Sequence, residues 1–112
     1  MGTLSPIAEA IRHYKFNADG GFEEGSKVSC APNYKMYVPS MGFEVTGAAE
    51  IQDVIFGWLA DIGAKQELVD IVEFGSSVTC FLNISDKDGT VLKIVEVFNI
   101  DEERRVKEIW AL

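Results

Sequence analysis

The sequence predicts an α+β domain in which helices come first and strands follow. Apolar residues recur at helical spacing in the first half of the chain, whereas the second half consists of long apolar-rich runs separated by turn-forming residues. Helices followed by a meander of strands are typical of the α+β class. With 112 residues, the chain is expected to form one domain spanning residues 1–112.

The first helix is expected to begin at Ser5-Pro6, where a hydroxyl caps the helix and proline takes its first position. Ile7, Ile11 and Tyr14 then lie on one helical face, which Ala18 continues. A short second helix is expected from about residue 22 to residue 29.

A third helix is predicted after Thr46-Gly47, and Gly63 supplies its left-handed stop. Its apolar face is a continuous stripe of six residues: Ile51, Val54, Ile55, Trp58, Leu59 and Ile62.

Strands are predicted at residues 34–38 and then in four longer runs. A turn at residues 39–42 ends the first strand, and Gly- and Asp-rich breaks separate the later runs. The four runs are at about 65–74, 77–85, 90–100 and 105–112. Two sets of residues compete for the inner face of the run 77–85: Val78, Cys80, Leu82 and Ile84 against Thr79, Phe81 and Asn83.

Composition argues against several classes of function. The net charge of −8 and the scattered bases give no footprint for nucleic acid. No apolar run approaches the roughly 18 residues that a membrane span needs. Cys30 and Cys80 are isolated from each other in the sequence, as is typical of free thiols in a reducing cytoplasm. Because the chain has a single histidine, we expect no metal site, and we expect no cofactor.

Three passages resemble the nuclear-transport-factor-two-like superfamily, which includes ketosteroid isomerases, SnoaL-like polyketide cyclases, limonene epoxide hydrolases and binding domains. The passage Cys30–Pro39 is similar to the family's Ala-Pro-Asp, aromatic and Pro pattern between helix and first strand. Gly42–Ile51 is similar to the start of its third helix. Val95–Val106 is similar to its last hairpin, with Arg104 where the family has a glycine.

The resemblance implies a cone-shaped α+β roll, with about three N-terminal helices packed on a curved, mainly antiparallel sheet around a pocket. It places Tyr14 at the position of the isomerases' oxyanion-hole tyrosine. It places Glu96 at the position of the carboxylic acid that shares the oxyanion with this tyrosine. The position of their general-base aspartate is Val38, so the isomerase pattern is incomplete. Epoxide hydrolysis ranks low because Ile109-Trp110-Ala111 has no acid for its last-strand position.

The residues around Glu96 support the same assignment independently. Strand alternation puts Glu96 on one face with Ile94 and Phe98, where desolvation should raise its pKa. A neutral carboxyl can donate a hydrogen bond to an oxyanion, and an ionised one can take a proton. On the competing interpretation Glu96 lies on a solvated or dimer-facing surface of the sheet and pairs with Lys93 or Lys107.

Other polar residues are weaker candidates. His13 and Asp53 are expected at the surface, and Glu44, in a loop near the expected cavity mouth, is the substitute base considered. The expected ligand is a hydrophobic carbonyl compound, with Tyr14 and Glu96 as the catalytic pair. The pocket would be lined by Met36, Val38, Trp58, Leu92, Ile94, Phe98 and Ile109.

Three functions remain compatible with this pattern. They are an isomerase or cyclase acting through an enol or enolate, a non-catalytic small-molecule-binding module, and a structural dimerisation domain. A homodimer is expected in each case because Val95, Val97 and Trp110 would point outward from the sheet and are too apolar to leave exposed.

Overall fold

The computed structural model describes residues 3–15 and 28–112, the side chain of Phe43 excepted. Within these residues lie two helical segments and six strands. Segment α1 is an α-helix at Pro6–Ala10 followed by a π-helical turn at Ile11–Lys15. Segment α2 runs through Ala48–Ile51, a π-helical turn at Gln52–Phe56, and Gly57–Asp61. The strands are β1 (Cys30–Val38), β2 (Phe43–Thr46), β3 (Lys65–Phe74), β4 (Ser77–Ser85), β5 (Val91–Ile100) and β6 (Val106–Ala111).

The strands form one sheet in the order β2-β1-β6-β5-β4-β3. Strands β1 and β6 run parallel, and every other neighbouring pair is antiparallel. The sheet is curved and does not close, and the two helical segments pack against it. The α+β roll predicted from the sequence is therefore confirmed.

The start of α1 is held by its cap and by strand β3. The Ser5 hydroxyl oxygen accepts a hydrogen bond from the Ala8 N–H at 3.4 Å, and Pro6 occupies the first helical position, as predicted. The Ser5 N–H donates to Glu73 Oε1 at 2.9 Å, and its hydroxyl donates to Glu73 Oε2. The helix terminus is thus tied to the edge strand of the sheet.

The helices differ from the sequence prediction in two respects. Most of the helix expected at about 22–29 lies outside the described residues, and its last two residues, Val28 and Ser29, are not helical. In α2, Ile51, Ile55 and Leu59 are buried, but Val54 is 40% exposed. The turn at Gln52–Phe56 is π-helical, and its wider i→i+5 spacing favours burial at steps of four residues over a step of three.

Strand β2 was not predicted from the sequence. Gly42, with φ of +72°, reverses the chain after a 3₁₀ turn at Pro39–Met41. Val45 then pairs with Met36 of β1, and both side chains are buried. Four residues of strand therefore lie where a loop leading into the helix was expected.

The structure decides which face of β4 is buried. Val78, Cys80, Leu82 and Ile84 belong to the core, whereas Phe81 is 40% exposed. The core is one cluster that also takes Ile7, Ala8 and Ile11 from α1. The inner face of the sheet is therefore covered by the helices, and its outer face carries Phe81.

A tight turn joins β5 to β6. One carboxylate oxygen of Asp101 accepts hydrogen bonds from the Glu103 and Arg105 N–H groups, each at 2.9 Å. Arg104 adopts φ of +63°, the left-handed conformation that favours glycine. Its guanidinium lies 3.7 Å from the Glu73 carboxylate, so the same carboxylate contacts α1 and this turn.

Candidate ligand-binding site

Glu96 lies in the middle of β5 and faces the helices. It is paired across the sheet with Cys80 of β4 and with Ala111 of β6, both of which are buried. Glu96 is itself partly buried, and this burial raises its pKa, while the charge of Lys15 lowers it to a smaller extent. Among the described residues no lysine or arginine forms an ion pair with Glu96, whereas Lys93 is exposed on the opposite face. The structure thus favours the interior position for Glu96 over the solvated one.

Lys15 is the polar residue of this region that the sequence pattern did not identify. It ends the π-helical turn of α1 and is partly buried, with its ammonium 5.3 Å from the centre of the Phe56 ring on α2. Its positive charge lowers the pKa of Glu96 on β5 and that of Cys30 on β1, in both cases against a larger effect of burial. Lys15 thus contacts α2 through the Phe56 ring, and its charge acts on groups of two strands.

Cys30 and Tyr34 form a second polar group near the start of β1. The Cys30 thiol donates to the Val28 carbonyl at 3.4 Å. Burial raises the pKa of Tyr34 to about 12, with the charge of a Cys30 thiolate and its hydrogen bond as smaller causes. Burial likewise raises the pKa of Cys80 to about 12. These groups are uncharged near neutral pH, which leaves Lys15 and Glu96 as the ionisable side chains that the described residues place in this region with a charge to carry there.

Tyr14 is partly buried on α1 and packs against the core. Its ring meets the exposed His13 ring edge-on, with the ring centres 4.8 Å apart. Tyr14 and Glu96 therefore belong to the two layers, helix and sheet, that enclose the same core.

The predicted lining residues lie along the inner face of the sheet and on α2. Phe98 pairs with Ile109 and Ile109 with Met36, so three buried side chains stand in a row across β5, β6 and β1. The others differ in depth: Val38 is buried, Ile94 and Trp58 are partly buried against the core, and Leu92 is 44% exposed.

The outer face of the sheet carries residues of a different kind. The Tyr37 and Trp110 rings stack with centres 4.3 Å apart, and Val72 and Phe81 are 48% and 40% exposed. Glu44 lies on this side too, because its neighbour Val45 points inward, and its carboxylate is 3.2 Å from the Lys35 ammonium. Glu44 is thus directed away from Glu96 and is not placed to replace a missing base.

Two features are not found in the described part of the chain. No group of three or more His, Cys, Asp or Glu side chains there could hold a metal ion. Within residues 3–15 and 28–112, no helix is long and apolar enough to cross a membrane.

No protein-family model matches the sequence, and no curated protein matches it. Solved structures do. A candidate polyketide cyclase from Sinorhizobium meliloti aligns with a TM-score of 0.75 at 14% identity, over 97% of this chain and 95% of that one. A SnoaL-like protein of unknown function from Burkholderia thailandensis gives 0.71 at 16% identity, over 99% and 98%.

A third similar structure holds a small molecule. TerC, co-crystallised with polyporic acid, aligns with a TM-score of 0.75 at 21% identity, over 96% of this chain and 91% of that one. At these identities the likeness shows the fold and does not transfer an activity. The order of the strands, the packing of the helices and these structures agree with the resemblance seen in the sequence: the chain has the nuclear-transport-factor-two-like fold.

Proposed function

We propose that this protein binds a hydrophobic carbonyl compound between the helices and the inner face of the sheet, and that it isomerises or cyclises this compound through an enol or enolate. The observation that carries the proposal is Glu96, a partly buried acid between Cys80 and Ala111 whose pKa is raised by burial. Such an environment keeps a carboxyl neutral at higher pH than in water, and a neutral carboxyl is a hydrogen-bond donor.

In this mechanism Glu96 and Tyr14 act on the carbonyl oxygen, while a water molecule from solvent takes the proton released from the carbon next to the carbonyl. As the carbonyl gains negative charge, the Glu96 carboxyl and the Tyr14 hydroxyl each donate a hydrogen bond to it. Donors that are already oriented in a site shielded from water stabilise this charge more than water does. Met36, Val38, Trp58, Leu92, Ile94, Phe98 and Ile109 would hold the apolar part of the ligand.

The test is a binding titration with polycyclic ketones followed by amide NMR shifts. We expect Glu96→Leu to abolish binding and Glu96→Gln, which keeps the shape and a donor, to weaken it by no more than about tenfold, the value of one neutral hydrogen bond. Glu50→Gln, at an exposed position of α2, is the matched control and should bind as the native protein does. Binding that is unaffected by Glu96→Leu would refute the proposal.

Binding without catalysis is the second candidate, and Val38 favours it. Val38 is buried at the position where ketosteroid isomerases carry their base, so the chain offers no carboxylate there. Exchange of the protons next to the ketone in D₂O distinguishes the two functions. Exchange faster than in buffer, and lost in Glu96→Leu, supports an enolising enzyme; tight binding without exchange supports the binding module.

We also propose that the outer face of the sheet, defined by Tyr37, Val72, Phe81, Val97 and Trp110, joins two copies of the chain. Apolar side chains as exposed as Val72 and Phe81, on neighbouring strands and the same face of one sheet, are typical of an interface. In sedimentation velocity we expect a dimer at micromolar concentration and a monomer for Phe81→Lys. Met41→Lys, which adds the same charge at an exposed turn, should leave the dimer intact. A native monomer would refute this interface.

We propose that the protein is cytoplasmic. Cys30 and Cys80 are free thiols, which are typical of proteins in a reducing compartment.

A further inference from the structure

The inner face of β5 becomes gradually more accessible along the strand. Phe98 is fully buried, whereas Leu92 is 44% exposed. Glu96 and Ile94 lie between them and are partly buried. The pairing of β5 with β4 is regular over residues 91–99, so these four side chains, two residues apart, share one face of the strand. The interior is therefore closed at Phe98 and open to solvent at Leu92.

The neighbouring strand β4 stays covered along the same stretch. Leu82 pairs with Ile94, Ile84 pairs with Leu92, and both β4 side chains are buried. The residue after α2 is held at the turn that follows β4, because the Lys87 N–H donates a hydrogen bond of 2.9 Å to its carbonyl. Leu92 is thus exposed directly beside a covered partner, which makes the opening a local feature of β5.

The open part of β5 differs in chemistry from its deep end. Glu96 supplies a carboxyl at depth, whereas Ile94 and Leu92 offer only aliphatic carbon, next to the aliphatic Leu82 and Ile84. Four residues of strand separate Glu96 from Leu92, a distance of roughly 13 Å at about 3.3 Å per residue. A polar body along this stretch would lose hydration without gaining a hydrogen bond, so the stretch favours an apolar one.

We infer that the ligand lies along β5, with its carbonyl oxygen at Glu96 and its apolar body extending past Ile94 to Leu92, and that Leu92 selects elongated ligands over short ones. The inference rests on the proposed function, because the carbonyl is the group that receives the Glu96 hydrogen bond. It adds a residue that determines specificity at the open end of the site, and it names the substrate class: a long apolar compound with its carbonyl at one end.

The experiment uses two ketones, acetophenone and 4-acetylbiphenyl, which share the carbonyl and the first ring. Each is titrated into the whole chain near pH 7 and followed by amide NMR shifts. We expect native protein to bind 4-acetylbiphenyl about tenfold more tightly, since covering on the order of 60 Å² of the second ring has this effect on Kd. Leu92→Ser should reduce the ratio to about threefold or less and leave the affinity for acetophenone within about twofold. Leu92→Met, which remains apolar, should keep the ratio.

Val91→Ser is the matched control. Val91 precedes Leu92, is 53% exposed and lies on the outer face, so its replacement removes an equally exposed aliphatic side chain without touching the site. It should leave the ratio of the two affinities unchanged. Circular dichroism melts of each variant establish that the fold is retained.

Intermolecular NOEs in the native complex test the same geometry without a substitution. We expect contacts of the second ring of 4-acetylbiphenyl with the Leu92 methyl groups. Contacts of this ring with Met36 or Val38 instead would place the ligand across the strands and overturn the inference. A ratio near one for native protein, or a ratio that Leu92→Ser leaves unchanged, would also overturn it.

These outcomes are distinguishable from failure of the proposed function. Loss of binding of the ketones in Glu96→Leu would still support that function when the inference about Leu92 fails. Failure of both ketones to bind at millimolar concentration, or binding of both that Glu96→Leu does not change, overturns the two together.

Discussion

Replacing Glu96 by glutamine should change how the stability of the protein depends on pH. The folded-state pKa of Glu96 is raised by burial, so between the unfolded value of about 4.3 and the folded value the native state binds more protons than the unfolded state. The stability contributed by the neutral acid is therefore fully present below about pH 4.3 and is lost as the pH rises through the folded pKa. The glutamine of the variant does not titrate, so its contribution is the same at every pH.

The expected difference between Glu96→Gln and native protein is near zero at about pH 4 and then grows in favour of the variant. It should grow by up to about 1.4 kcal/mol for each pH unit and level off once the pH passes the folded pKa of Glu96, with Lys15 offsetting part of the effect of burial. Cys80, the titratable neighbour on β4, has a pKa raised to about 12 and stays neutral over this interval.

Urea unfolding followed by circular dichroism at about pH 4 to pH 9 measures this difference. Each unit by which the folded pKa exceeds the unfolded one adds about 1.4 kcal/mol to the plateau. Glu50→Gln removes the same charge from the surface and serves as the reference for general charge effects. A difference that is independent of pH, or one that favours native protein as the pH rises, would mean that Glu96 is solvated or ion-paired, and the reasoning about the site would be wrong.

Three further substitutions test the fold around this site. Glu73→Gln should destabilise the protein by roughly 1 kcal/mol at neutral pH, because Ser5 donates two hydrogen bonds to this carboxylate and lowers its pKa. The loss should shrink as the pH falls from about 4.3, where Glu73 of the unfolded chain becomes protonated, through the lower folded-state pKa, and a loss that persists in acid urea titrations would contradict this. Arg104→Gly should raise the melting temperature, because glycine adopts the left-handed φ without the cost of about 1–2 kcal/mol that arginine bears there. The exposed ion pair between Arg104 and Glu73, which the substitution removes, contributes less than this. A lower melting temperature would show that the ion pair dominates. Phe98→Ala should cost about 3–5 kcal/mol in urea because Phe98 is fully buried, and a loss below about 1 kcal/mol would exclude a packed core there.

The boundaries of β3 and β4 could be predicted because glycines with positive φ stand in the turns that follow them, whereas β1 begins at Cys30, four residues before its predicted start. Gly75, with φ of +59°, and Gly89, with φ of +83°, stand in the turns after β3 and β4, and β3 and β4 occupy the predicted residues. The fold class follows from this regular meander. Strand β2, by contrast, has four residues, too few for an alternating pattern to stand out.

The buried face of β4 depends on its partners and could not be read from its own residues. Cys80 and Phe81 are both apolar enough to be buried, and a shift of one residue exchanges them. Pairing with Ile71 of β3 and Glu96 of β5 puts Cys80 inside, under the helices. The inner position of Glu96 is fixed by the same pairing, which explains why the sequence left its two interpretations open.

The part of the site that the sequence missed has a specific cause in the helices. An α-helical pattern places Tyr14 on the apolar stripe of α1 and leaves Phe56 outside the stripe of α2. Both helices contain a π-helical turn, at Ile11–Lys15 and at Gln52–Phe56, and each turn takes more residues than an α-helical one. The buried face of α1 is therefore shifted by about one residue relative to an α-helix. The shift favours an inward position for Lys15, which lies four residues after the buried Ile11. Each π-helical turn thus carries one partner of the contact between the Lys15 ammonium and the Phe56 ring. An α-helical pattern does not predict that these two side chains meet. Single π-helical turns occur frequently at functional sites, and here both lie beside the region proposed to bind the ligand.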